Sequence, residues 1–371
     1  MTKRSHKNNI HITKPLLPPL GDLIPYLEKI WDSGFITNSG FMTEEFESEL
    51  CIYLGEKHLS LVSNGSMALA LAIQVLQLKG EIITTAFTHI STAQSIYWNH
   101  LKPVFVDVNT SDFNIDINKI EEAITEETTA ILAVHVFGNP CDIEGIERIA
   151  RKHQLKVIYD AAHGFGVEYK GKSLCHYGDI SILSFHATKV FNSIEGGAVI
   201  CRDIATKKRV DALKNHGFDD EDRLVGYGLN AKMNELQAAY GLLQLKGITQ
   251  AIENRKNAVM KYRALLKDIS GVSFLEEQKD TKSNYSYFPI LIEPKVFGKS
   301  RDEVYQFYKK DSIFTKRYFY PLVIDYKEFS IFKTRELPLA QRVAENILCL
   351  PLSHSIQSSD IERIVGLLKE V

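Results

Sequence analysis

Ile180-Ser181-Ile182-Leu183-Ser184-Phe185-His186-Ala187-Thr188-Lys189-Val190-Phe191-Asn192-Ser193-Ile194-Glu195-Gly196-Gly197 is the stretch on which the rest of the chain turns. Its first six residues have the length and β-branched content of a buried strand, so Lys189 leaves the sheet beyond a strand's carboxyl end, on a loop closed by a glycine pair. An ammonium partly desolvated there loses some preference for the charged form, and the neutral amine can attack a carbonyl to form a Schiff base. Most lysines are solvated surface charges, and Lys189 in isolation would be read as one.

Its company changes that reading. Asp160 ends a second apolar run, Leu155-Lys156-Val157-Ile158-Tyr159, and is followed by Ala161-Ala162-His163-Gly164. A carboxylate at a strand end, beside small residues that let a flat ring approach, can pair with the protonated pyridine nitrogen of pyridoxal phosphate. At about 4 Å and an effective dielectric near 20, such a pair is worth on the order of 4 kcal/mol. Further upstream, the strand Leu59 to Ser63 runs into Asn64-Gly65-Ser66-Met67 and an Ala- and Leu-rich helix. The free N–H groups at that helix start suit a phosphate dianion, although any capped helix start looks similar.

Strand and helix patterns then alternate: Glu81 to Thr85, Pro103 to Val106, Ala130 to Val136 and Leu155 to Tyr159 as strands, with amphipathic helices between. This predicts an α/β fold, a parallel sheet with helices on both faces, whose ligands bind beyond the carboxyl ends of the strands, where Ser63, Phe87, Asp160 and Ser184 fall. Met233 to Leu245 and Thr249 to Lys267 read as two consecutive helices, and from about residue 275 a smaller α+β domain follows. The expected division is a loose tail over 1–14, a large domain over 15–247, and a bridging helix with a small domain over 248–371. Asp107 and Asp112 read as a solvated loop, and His135 as a satisfied core histidine.

Composition narrows the classes. The 371 residues are 44% hydrophobic and 24% charged with a formal net charge of −2, which argues against a nucleic-acid binder. Five widely spaced cysteines form no C-x-x-C pair, so neither a disulfide framework nor a metal site is expected. The polar N-terminus lacks the apolar segment of a secretory signal, and no run approaches a membrane span, which predicts a cytoplasmic protein.

Four segments, Tyr159-Asp160-Ala161-Ala162-His163, Ser184 to Lys189, Glu195-Gly196-Gly197 and Gly228-Leu229-Asn230-Ala231-Lys232-Met233-Asn234-Glu235, resemble the DegT/StrS family of nucleotide-sugar aminotransferases, in its order and spacing, from about Pro15 to the C-terminus. The resemblance implies fold type I of the pyridoxal-phosphate enzymes (aspartate aminotransferase-like) and a homodimer with shared active sites. It implies that Lys189 carries pyridoxal 5'-phosphate and moves the proton, that Asp160 meets the ring nitrogen, and that Gly65, Ser66, Met67 and Ser184 hold the phosphate with Asn230 of a neighbouring subunit. His163 is implied beside the phenolic oxygen. His89 stands where an aromatic residue stacks on the ring; it reads equally as a surface or helix-capping histidine, with Phe87 the substitute. Thr37 and Tyr320 fall on loops that face substrate.

The implied reaction moves an amino group from L-glutamate to a nucleotide-linked 4-keto-6-deoxyhexose for surface-polysaccharide (O-antigen) synthesis. The resemblance is strongest to members acting on the dTDP-linked 4-keto-6-deoxyglucose, with 3-keto and UDP-linked sugars as alternatives. Related dehydratases replace the lysine with histidine, so Lys189 argues against dehydration. A non-catalytic scaffold would need none of Lys189, Asp160 and Ser184.

Overall fold

The computed structural model describes residues 9–371. In chain order, β1 (Ile10–His11), α1 (Leu20–Ser33) and α2 (Phe41–Leu54) lead into β2 (Leu59–Val62), α3 (Gly65–Val75), β3 (Glu81–Thr85), α4 (Ile90–Trp98) and β4 (Lys102–Val106). After the short α5 (Ile117–Ile120) come β5 (Thr128–Val134), α6 (Ile143–His153) and β6 (Lys156–Asp160). A small excursion, β7 (Glu168–Tyr169) and β8 (Lys172–Ser173), precedes β9 (Ile180–Ser184), β10 (Gly197–Cys201), α7 (Ile204–Lys214) and the long α8 (Glu235–Leu266).

Seven strands form one sheet in the order β2-β10-β9-β6-β5-β3-β4, parallel except for β10, which runs antiparallel to both neighbours. Successive side chains of a strand point to opposite faces, so the sheet has two cores. Ile158, Ile180 and Ile182 pack with α3 on one face, while Val157 and Tyr159 pack with α6 on the other. Each such aliphatic side chain, fully buried, contributes about 2 kcal/mol relative to exposure.

The two helices expected over 233–245 and 249–267 are one helix. Gly247 disfavours helix by about 1 kcal/mol, but Leu243 and Ile248 on either side of it are buried, and tertiary packing outweighs propensity. The expected boundary at 247/248 therefore falls inside α8. Ile248 and Ala251 still pack with α2, whereas Ala258, Val259, Tyr262 and Leu266 join a core with Phe288–Ile292, Ile347–Leu350 and Ser358–Glu370.

The loose tail also needs correction, although Met1 to Asn8 lie outside the described residues. Ile10 and His11 pair in parallel with Ile313 and Phe314, and Ile10 is buried in the C-terminal core. Nor are the two acidic residues solvated. Asp107 accepts the N–H groups of Leu339 and Ala340 at 3.0 and 2.7 Å, capping the helix Pro338–Asn346, whose own N-cap, Leu337, supplies no side-chain cap. Asp112 accepts from Asn114 N–H and Gln278 Nε2, both at 2.9 Å, and burial raises its pKa. His135 is in the core, stacked on Tyr159, but only Nδ1 has a partner (Cys141 N–H, 3.1 Å). Burial pushes its pKa down to about 3. Among the described residues no helix is long and apolar enough to cross a membrane.

Candidate active site

Strand periodicity builds the site. Because Ile158 and Ile182 face α3, so do Asp160 and Ser184 two residues later, each at the carboxyl end of its strand. The space beyond them is a cavity of about 290 Å³, lined by Gly65, Ser66, His89, Asp160, His163, Ser184 and Lys189, with a wall from Tyr287, Tyr318 and Phe319 of the C-terminal part.

The start of α3 forms one end. Asn64 is its N-cap, and Asn64 Oδ1 accepts the N–H of Met67 at 2.9 Å. The N–H groups of Gly65 and Ser66 have no acceptor among the described residues and lie at the positive end of the helix. Glycine is required here by close approach: a Cβ on Gly65 would lie 2.7 Å from Ser184 Cβ, and one on Gly197 would lie 2.8 Å from the Asn64 carbonyl. Met67 lies apart from them: its N–H is taken by Asn64, it does not line the cavity, and its side chain packs on the core.

The acid and the amine share this cavity. Asp160 is buried, and its carboxylate accepts from Thr92 Oγ1 at 2.9 Å and from Ala162 N–H at 3.1 Å. Burial lowers the Lys189 pKa from 10.5 to about 8, against the opposing pull of Asp160. At pH 7 about a tenth of such an amine is neutral, far more than of an ordinary lysine.

His163 accepts the Phe137 N–H on Nδ1 at 3.2 Å, which assigns the ring proton to Nε2. Burial foremost, then the charges of Lys189 and His89, hold its pKa well below the usual value. His89 is the N-cap of α4, its Nδ1 accepting the Ser91 N–H at 3.3 Å, and it also lines the cavity. Burial, then Lys189, lowers its pKa, with Asp160 opposing. Phe87, the substitute, is fully buried edge-on against Phe113, Phe137 and Phe319 and does not reach the cavity.

Three expected residues lie elsewhere. Thr37 is exposed on the loop before α2, and Asn230 is exposed and bridges to Asn215; neither lines the cavity of its own chain. Tyr320 lies outside too, between the guanidinium groups of Arg301 and Arg317 at 4.4 and 5.0 Å from its ring centre. Its neighbours Tyr318 and Phe319 face the cavity instead. Sequence reading also passed over Thr92, Tyr287, His186 and Glu195. The last two lie inside the quoted stretch, but the partners of Thr92 and Tyr287 are distant in sequence and nothing local marks them.

A model of the DegT/DnrJ/EryC1/StrS aminotransferase family matches residues 21–369. The chain is 47% identical to a dTDP-4-amino-4,6-dideoxy-D-glucose transaminase of Shigella dysenteriae, over 98% of this chain and 99% of that one. It is 44% identical to a transaminase of the same name from Escherichia coli, over 97% and 98% of the two chains. Among solved structures, DesI in the presence of its TDP-sugar product superposes with a TM-score of 0.94 at 31% identity, covering 98% of this chain and 92% of that one. A lysine and a carboxylate lining one cavity at the carboxyl ends of a mostly parallel sheet, in a chain matched over nearly its whole length, lead to one conclusion: the chain belongs to the DegT/DnrJ/EryC1/StrS family of pyridoxal-phosphate-dependent sugar aminotransferases.

Proposed function

We propose that this chain transfers the amino group of L-glutamate to C4 of a dTDP-linked 4-keto-6-deoxy-D-glucose, giving dTDP-4-amino-4,6-dideoxy-D-glucose for surface-polysaccharide synthesis. The observation that carries the chemistry is the presence of buried Asp160 and of Lys189, its pKa lowered by burial, in one cavity; the substrate rests on the two full-length relatives of that name.

The residues fit pyridoxal phosphate. Two unpartnered N–H groups at the start of α3, packed tightly against Ser184, match a phosphate, and the buried carboxylate of Asp160 matches a protonated ring nitrogen. When bound, that group supplies the electron sink for the charge left on carbon when a proton departs. Gly65, Ser66 and Ser184 would hold its phosphate, Asp160, aimed by Thr92 and Ala162, would meet its ring nitrogen, His89 and His163 would lie beside its ring, and Lys189 would be its attachment point. The Nζ of Lys189, with a pKa near 8, is suited to taking a proton from the amino donor's α-carbon and delivering one to the sugar carbon that is aminated. Anchoring at both ends keeps that proton's path short and fixed.

Two chains complete each site in this reading. Asn230 sits in a segment exposing Leu224, Val225 and Tyr227, which supports an interface there, with Asn230 reaching the neighbouring subunit's phosphate.

The test is turnover of a panel of dTDP- and UDP-linked 3-keto and 4-keto sugars with glutamate, the aminated carbon being read by NMR. Amination at C4 of the dTDP sugar is expected. Preference for a 3-keto or UDP-linked sugar overturns the substrate assignment.

A further inference from the structure

We propose that His186 and Glu195, on the loop that carries Lys189, recognise a ring hydroxyl of the sugar that accepts the amino group. This rests on the nucleotide-sugar reading above and deepens it by naming a specificity pair. Both side chains line the cavity and are about half exposed, at 46% and 50%, so a ligand can reach them.

His186 is held in one tautomer. Its Nδ1 accepts the Thr188 N–H at 3.2 Å and lies 2.8 Å from Thr188 Oγ1, which leaves the ring proton on Nε2. Nε2 points toward Glu195 Oε1 across 3.5 Å. That gap is too long for a good N–H···O bond, whose range is about 2.7–3.2 Å. A hydroxyl seated against both atoms satisfies each, accepting from Nε2–H and donating to the carboxylate.

The surrounding chemistry favours a hydroxyl here. Asp160, the other carboxylate of the cavity, is occupied by Thr92 and Ala162, whereas the Glu195 carboxylate accepts no hydrogen bond among the described residues. The nearby groups Lys189, His89 and His163 Nε2–H are donors or cations. A sugar hydroxyl must donate its proton somewhere, and Glu195 is the charged acceptor free to take it, ahead of the neutral hydroxyls that also line the cavity. A dicarboxylate amino donor would be repelled from the same spot, so the pair distinguishes the two substrates that take turns in the cavity.

The test compares the nucleotide-linked keto sugar with analogues lacking the C2 or the C3 hydroxyl, in the pyridoxal-phosphate-loaded wild type and in Glu195→Ala and His186→Phe. In the wild type, removing one of these hydroxyls is expected to lower kcat/KM on the order of 10- to 100-fold, the range of a hydrogen bond to a charged group. In either variant the same deletion is expected to cost at least about 3-fold less than in the wild type, because one of the hydroxyl's two partners is gone, and the loss is expected to shrink more in Glu195→Ala, which removes the charged one. A variant that merely disturbs the loop slows both sugars and leaves their ratio at the wild-type value; that result, or a wild type indifferent to both deletions, overturns the proposal. If one variant fails to fold, the other decides. Failure of every nucleotide-linked keto sugar to turn over would instead overturn the substrate reading on which this rests.

Discussion

Burial of Lys189 works against the folded chain and for its chemistry. An unfolded lysine keeps its proton to about pH 10.5, whereas this one loses it near 8. Between those values the unfolded state binds more protons, so stability rises with pH across that window, and below pH 8 the full cost of up to about 3 kcal/mol is present. In the apoprotein, Lys189→Met should therefore be the more stable form at pH 7 by up to that amount, with the advantage gone by about pH 10.5; urea unfolding at the two pH values checks this, and an equal difference at both would refute it. With cofactor loaded, the same variant should lose turnover by about 10³-fold or more. Thr92 tests the neighbouring acid. Thr92→Val leaves the buried Asp160 one donor short and should weaken pyridoxal-phosphate binding by about tenfold in a fluorescence titration, while Thr92→Ser retains it.

The strand-to-helix turns are the parts built with least tolerance. Gly65→Ala places a methyl group 2.7 Å from Ser184 Cβ, so α3 must shift and its N–H groups with it. Cofactor affinity should fall by more than about tenfold, and in a Ser184→Gly background, itself weakened by loss of a phosphate contact, the further cost of Gly65→Ala should be smaller than in the wild type, since the atom in collision is then absent. An equal cost in both backgrounds would locate the damage elsewhere. Both glycines were visible in the sequence as residues opening a helix and closing a loop. What each glycine avoids was not, because Ser184 and Asn64 are brought to them only by the pairing of β9 and β2 with β10.

The segment after α8 reaches back over the cavity and packs into the core of the large sheet. Val323 N–H bonds to the Ala86 carbonyl at 3.1 Å and Asp107 caps the helix Pro338–Asn346, which fixes the segment that delivers Tyr318 and Phe319. Asn230, absent from its own chain's cavity, is tested between chains. Lys189→Ala and Asn230→Ala homodimers should each be impaired; mixed by unfolding and refolding together, they should form dimers in which one of the two sites has both residues, restoring up to about a quarter of wild-type activity for random pairing. No recovery on mixing would remove Asn230 from the neighbouring site.

Local pattern was enough for the six parallel strands, the class of sheet, and the positions of Lys189, Asp160, Ser184 and Gly65, because a strand's period and its end are written in consecutive residues, but it passed over the antiparallel β10, Gly197–Cys201. Pattern misjudged features whose stability comes from distant partners: α8 runs through Gly247 on tertiary packing, Ile10–His11 is strand only because Ile313–Phe314 lies beside it, and Asp107 is buried against the start of a helix whose Leu339, 232 residues later, it caps. The same holds within the cavity. Tyr287 and Phe319 join it, and Thr92 supports Asp160 from behind it, through contacts between segments far apart in the chain, and side-chain geometry across such distances is settled by packing, which no window of sequence contains.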